Sequence, residues 1–214
     1  MTGPDWLSDT RTSYDTVATA YADLLRGHLA GAPYDRAVLA LFAELVGPGG
    51  PVLDAGCGPG RITAHLQALG LAPAGVDLSP GMVDVARRDH PGLRFEVGSM
   101  TDLAVPDASL AGVLAWYSLI HVPDEVVPVV LAGFRRVLRP GGVALLAFQV
   151  GDEHRVKTSG YGDLPMSLPV HLRPPERVES WLADAGLPVQ SRLVREAAAD
   201  EHVPQAYLIA HRPS

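Results

Sequence analysis

The sequence predicts a doubly wound α/β fold with a mostly parallel sheet, on three observations. From residue 51 onward, short apolar runs alternate with segments of helical period, so each helix returns the chain to the same end of the sheet. A glycine-rich turn, Asp54-Ala55-Gly56-Cys57-Gly58-Pro59-Gly60, separates the first run from the first crossover helix. The last two apolar runs are joined by the polar AAADEHVP, which suits an antiparallel hairpin and is too short for a crossover helix. With 214 residues and 47% hydrophobic content the chain supports one well-buried core, so a single domain over 1–214 is expected.

Each element has its own justification. Residues 14–25 put Tyr14, Val17, Ala18, Tyr21, Leu24 and Leu25 on one helical stripe, and 35–46 repeat the pattern, giving an N-terminal helical cap over 1–48. The core, 49–150, opens with strand PVLDAG (51–56) and helix GRITAHLQALG, with Gly70 past its end. Strand PAGVDL (73–78) follows, then a helix that Ser79 caps with Pro80 at its first position. LRFEVG (93–98) and LAGVLAWYS (110–118) are the next strands. Val130, Phe134, Val137 and Leu138 mark a helix that ends at Arg139-Pro140-Gly141-Gly142, before the strand GVALLAFQV (142–150). The less regular 151–172 interrupts the alternation and is a candidate substrate lid. Within 173–214, PERVESWLADAG reads as a helix, with VQSRLVRE and QAYLIAHR as the closing strands.

Composition excludes several function classes. A formal net charge of -7 with scattered Lys and Arg disfavours a nucleic-acid partner. The apolar stretches are too short for a bilayer, and the polar start carries no signal pattern, so a cytoplasmic protein with no membrane partner is expected. Its lone cysteine, Cys57, agrees with a reducing compartment. The eight histidines lack metal-ligand spacing, and no metal is implied. Monomer and homodimer both stay open.

The chemistry concentrates at the ends of the predicted strands. Gly56, Gly58 and Gly60 let the backbone bend and approach a ligand, and the helix start beyond them offers unpaired N–H groups. A dinucleotide fingerprint beginning at Gly56 requires glycine at 61, where this chain has Arg61, and a phosphate loop requires a Gly-Lys-Ser/Thr that is absent. Asp54 repels a pyrophosphate but suits a cationic ligand, or else organises the loop. Asp77, ending the second strand, can accept hydrogen bonds from ribose hydroxyls; a turn or capping role is the alternative. Ser99 and Met100 can meet an adenine ring, with Leu78 and Met82 on its other face, although methionine is as often core filling. S-adenosylmethionine (SAM), carrying an ammonium and a sulfonium, fits this pattern.

The segments VLDAGCGPGRIT, GVDLSPGMVDVAR, GSMTDLAVPDASLAGVLAWYSLIHVPDE and FRRVLRPGGVALLAF resemble the successive motifs of class I SAM-dependent methyltransferases. The resemblance implies a Rossmann-like three-layer sandwich with a seven-stranded sheet whose last strand is antiparallel. It implies SAM as cofactor, S-adenosyl-L-homocysteine as product, and Asp54, Ala55, Gly56, Gly58, Gly60, Asp77, Leu78, Met82, Ser99 and Met100 as cofactor-binding residues. Small-molecule enzymes of bacterial secondary metabolism are the nearest group. Ser99 departs from the Asp often found there.

On the acceptor side, His121 follows the fourth strand and is a candidate general base; a structural histidine bonded to the N-terminal helix is the competing reading. Tyr14 and Tyr21, seven apart, are candidates for closing over the cofactor or presenting hydroxyls, and core packing predicts the same spacing. Trp116, Tyr117, Tyr161 and His171 are candidate acceptor-pocket residues. Three other functions stay in view: an enzyme that couples methylation to cyclisation, a non-catalytic SAM-binding or scaffold protein, and an NAD(P)-dependent oxidoreductase, the last disfavoured by Asp54 and Arg61.

Overall fold

The computed structural model describes residues 6–198 and 201–214, so the first five residues of the expected cap and two of the terminal connection lie outside the described residues. Helices α1 (Trp6–Leu25), α2 (His28–Gly31) and α3 (Pro33–Val46) precede β1 (Pro51–Ala55). The alternation α4 (Arg61–Ala68), β2 (Ala72–Asp77), α5 (Pro80–Asp89), β3 (Arg94–Val97) and β4 (Leu110–Trp116) follows. A short 3-10 turn, Leu119–His121, leads to α6 (Val127–Val137) and β5 (Leu138–Gln149). The chain closes with β6 (Glu153–Gly160), β7 (Leu164–Leu172), α7 (Pro175–Asp184), β8 (Val189–Arg195) and β9 (Gln205–His211).

Seven strands form one sheet in the order β3-β2-β1-β4-β5-β9-β8, parallel except for β9, which runs antiparallel to both its neighbours. The central strands are apolar on both sides, and their alternation feeds two cores. Leu53, Val113, Ala115, Ala144 and Leu146 pack against Val130, Leu131 and Phe134 of α6 and Val178 and Leu182 of α7. Val52, Leu114, Val143 and Leu145 pack on the opposite face against Leu39 and Phe42 of α3 and Ile62 and Leu66 of α4.

Three expectations need correction. Segment 151–172 is not irregular: β6 and β7 pair as an antiparallel ribbon with a register shift between Lys157 and Ser159, turning through Tyr161, Gly162 and Asp163 at positive φ. Pro165 and Pro169 interrupt its apolar alternation, which hid it. Second, α1 reaches back to Trp6, through a polar stretch whose Thr10 and Ser13 are nevertheless buried. Third, Arg139-Pro140-Gly141-Gly142 does not end α6, which stops at Val137; it lies within β5, where pairing to β4 jumps from Leu110/Leu138 to Gly112/Val143. There the Gly141 N–H donates to the Arg212 carbonyl at 2.8 Å.

Among the described residues no helix is long and apolar enough to cross a membrane. Phe134 is fully buried between α6 and the sheet. Phe134→Ala is expected to cost about 3–5 kcal/mol, read as a lowered urea midpoint with unchanged slope.

Candidate active site

The parallel strands end on one side, and an open cavity lies there, with about 690 Å³ of empty space counting its mouth open to solvent. Its floor is Gly56 and Gly58 after β1, Asp77, Leu78 and Ser79 after β2, Gly98, Ser99 and Met100 after β3, and Trp116, Tyr117 and Ser118 at the end of β4. Its roof is α1, through Trp6, Leu7, Thr10, Tyr14 and Tyr21, which lie on one helical face.

The loop geometry explains two of the glycines. Gly56 has φ 80°, and a Cβ there would lie 2.3 Å from Ser118 Cβ, whose hydroxyl donates to the Ala55 carbonyl at 2.6 Å. A Cβ on Gly58 would meet only Tyr21 Cε1, at 4.0 Å, so this position faces free space. Gly60 is different from what its place in the motif suggests. It does not line the cavity, because its Cα packs against the Phe95 ring, which a Cβ would approach to 2.7 Å.

Asp77 gathers the loops: Oδ2 accepts from Gly58 N at 2.7 Å and Oδ1 from Ser79 N at 2.9 Å. Burial pushes its pKa up to about 6, opposed by these backbone donors. Asp54 lies below the cavity wall rather than on it. It is 0% exposed, and its Oδ2 accepts from Thr63 Oγ1 at 2.7 Å, so it organises the loop and α4. Burial raises its pKa to about 7. Among the described residues its Oδ1 is buried without a partner, as is Nη1 of Arg61, which follows the loop in the sequence. Ala55 is likewise internal, and Met82 is a wall residue buried in the α1 and α5 cluster. The Ser99 hydroxyl is shared with Thr101 Oγ1 at 2.7 Å.

His121 has both ring nitrogens engaged. A carbonyl only accepts, so Nδ1–H donates to Pro169 O at 2.7 Å; Nε2 of the neutral ring then accepts from the Tyr14 hydroxyl, also at 2.7 Å. Burial lowers the His121 pKa to about 4 and raises that of Tyr14. Arg173, 2% exposed, holds the turn that carries His121, donating to the Leu119 and Val122 carbonyls and to Asp124 at 2.9 Å.

Two expected acceptor residues are not brought to the cavity. Tyr161 packs edge-on to Tyr21 at 4.8 Å, outside the wall, and His171 stacks on His154 at 4.5 Å on the ribbon. Both belong to the ribbon, which backs α1 instead of covering the cavity: the Ser167 N–H donates to Ser13 Oγ, and Met166 and Leu168 join Val17 and Ala18. The Tyr117 hydroxyl donates to Tyr207, which does not line the cavity, at 3.3 Å, leaving the Tyr117 ring as wall. Trp6, Leu7, Thr10, Ser118 and Val122 line the cavity without having been singled out by the sequence. The four-residue spacing of Trp6, Thr10 and Tyr14 was the available signal for the first and third.

A seven-stranded sheet of this order with an open Gly58 turn, a carboxylate ending β2 and a roof helix defines an α/β cofactor-binding fold of the methyltransferase kind. Residues 52–142 match the methyltransferase-domain family model. The chain is 36% identical over 100 residues to a malonyl-[acyl-carrier protein] O-methyltransferase of Serratia marcescens, covering 47% of this chain and 38% of that protein. It is 31% identical over 166 residues to the O-methyltransferase cnsE of Penicillium expansum, covering 68% and 59%. The chain thus spans less than two thirds of the length of these curated relatives. In fold it is similar to the magnesium protoporphyrin IX methyltransferase of Synechocystis PCC 6803 with bound SAM, with a TM-score of 0.74, 18% identity and 99% of each chain covered. The CcbJ methyltransferase of Streptomyces caelestis gives 0.73 at 18% identity, over 96% of this chain and 99% of that one. The methyltransferase-domain match and these relatives support a class I SAM-dependent methyltransferase. The oxidoreductase and cyclisation alternatives find no support in these relatives.

Burial raises both site carboxyls, so the folded chain holds protons there that the unfolded chain releases near pH 4. Their contribution to stability is complete below that pH and is lost as pH rises through about 6 and 7. The ligand-free protein should lose about 2–4 kcal/mol between about pH 5 and pH 8 in calorimetric melts. Asp54→Asn should flatten that profile.

Proposed function

We propose that this chain transfers a methyl group from SAM to a small acceptor molecule. The observation that carries this reading is Asp77, which reaches the cavity while holding both the Gly58 and Ser79 backbones, with free space in front of Gly58. Beneath the cavity wall, Asp54 Oδ1 and Arg61 Nη1 have no hydrogen-bond partner among the described residues, and this pair of opposite charges behind the loop suits the zwitterionic amino-acid end of SAM. Asp77 retains lone pairs for ribose hydroxyls, and Leu78, Met82, Ser99 and Met100 supply apolar faces and one hydroxyl for an adenine. When bound, SAM supplies an electrophilic methyl group on a sulfonium.

The chain's own residues then orient the acceptor and exclude water. Tyr14 is proposed as the contact to the reacting group, and His121, behind it, as the positioning partner that takes the Tyr14 hydroxyl proton in a hydrogen bond. His121 therefore acts through Tyr14 and not as a free base. Tyr21 and α1 cover the cofactor, so the covering role expected of 151–172 passes to α1, with the ribbon as its backing. The setting is a cytoplasmic monomer or homodimer that acts without nucleic acid, in line with the net charge of -7 and one buried cysteine.

A cationic ligand favours ionised carboxyls, so SAM affinity should rise as pH increases through about 6 to 7. Asp77→Ala should weaken SAM binding on the order of a hundredfold by calorimetry, and unchanged affinity would remove the cofactor assignment. Tyr14→Phe and His121→Ala should each lower kcat on the order of a hundredfold while SAM affinity stays within about twofold. Wild-type turnover in both variants at every pH would eliminate the proposed pair.

A further inference from the structure

Resting on the methyl-transfer reading, we infer that the acceptor is an uncharged, flat, largely apolar molecule offering a hydrogen-bond donor at its reacting atom, and that the site refuses carboxylates. The first support is the direction of the hydrogen bonds. Pro169 O carries no proton, so His121 Nδ1 must donate to it, Nε2 is left bare, and the Tyr14 proton is committed to Nε2. What Tyr14 Oη shows the cavity is lone pairs. An acceptor O–H or N–H can donate to them, whereas a carboxylate would set lone pairs against lone pairs.

The wall gives the second support. Trp6, Leu7, Met100 and Val122 supply apolar surface, with the Trp6 indole on the roof and the Trp116 indole on the floor. Among the described residues that line the cavity, the ionisable side chain that carries charge at neutral pH is Asp77, a carboxylate. A second anion would be repelled in a region of low dielectric. The third support is Thr10 Oγ1, which is buried without a partner among the described residues, one helical turn before Tyr14. A buried hydroxyl without a partner is costly, and a second polar atom on the acceptor would satisfy it. Trp6, Thr10 and Tyr14 thus form one stripe of a ring, a hydroxyl and a lone-pair acceptor along the roof.

The test compares 2-naphthol with 2-naphthoate, which share a ring system and differ in the group presented. At neutral pH the first is uncharged and the second is an anion. Each is titrated calorimetrically into protein saturated with S-adenosylhomocysteine. Naphthol is expected to bind on the order of tenfold tighter than naphthoate, and Tyr14→Phe is expected to shrink that preference below about threefold without changing S-adenosylhomocysteine affinity. Leu7→Arg, which adds a cation to the partly exposed first turn of α1, is expected to strengthen naphthoate binding on the order of tenfold. Naphthoate binding as tightly as naphthol to the unaltered protein overturns the inference, as does failure of both to bind while S-adenosylhomocysteine binds. Failure of S-adenosylhomocysteine itself to bind overturns the methyl-transfer reading instead. Should Leu7→Arg not fold, the comparison on the unaltered protein and on Tyr14→Phe decides.

Discussion

The site depends on how α1 is held across the ends of the strands. Three consecutive residues each grip a different element. Ser13 Oγ accepts from Ser167 N on β7, Tyr14 donates to His121 after β4, and Asp15 Oδ1 accepts from Ser79 Oγ and from Gly81 N at 2.8 Å on α5. Neighbouring positions on a helix point about 100° apart, so these ties fix α1 from three directions. Asp15 adds a favourable charge at the α5 N-terminus. Between the ties, Val17, Ala18 and Ala22 pack on Met82, Val85, Met166 and Leu168. Without α1 the cavity would be an open groove.

Below this roof, the site stores electrostatic strain in buried carboxyls. Asp54 and Asp77 lie on either side of the glycine loop, and burial raises the pKa of each. Their hydrogen bonds to Thr63, Gly58 and Ser79 only partly offset the loss of water. A ligand bringing positive charge would relieve that cost, while a pyrophosphate would add to it. The same residues that position the loop thereby select the sign of charge it accepts.

The Tyr14 end of the cavity is built by a longer relay of supports. Tyr14 is oriented by His121, and His121 by Pro169 O on the ribbon. Arg173, at the ribbon's end, pins the turn around His121 through two carbonyls and Asp124. A segment that interrupts the α/β alternation therefore acts as scaffold, setting the tautomer of a histidine and, through it, the polarity of a tyrosine hydroxyl.

The sequence by itself determined the sheet and the glycine turn that floors the cavity. Apolar alternation, Ser79-Pro80 as a helix start and the Asp54 to Gly60 turn are local signals, because helix period, capping and tight turns depend on residues close along the chain. Only the tertiary structure decided that Gly60 packs on Phe95, that Asp54 lies beneath the wall, and that Tyr161 and His171 stay outside the cavity. It alone also revealed the ribbon's role and the direction of the Tyr14 to His121 hydrogen bond, between residues 107 positions apart. Such features depend on which side chains meet across elements, and a side chain's burial and the owner of a shared proton are fixed only once those partners are in place.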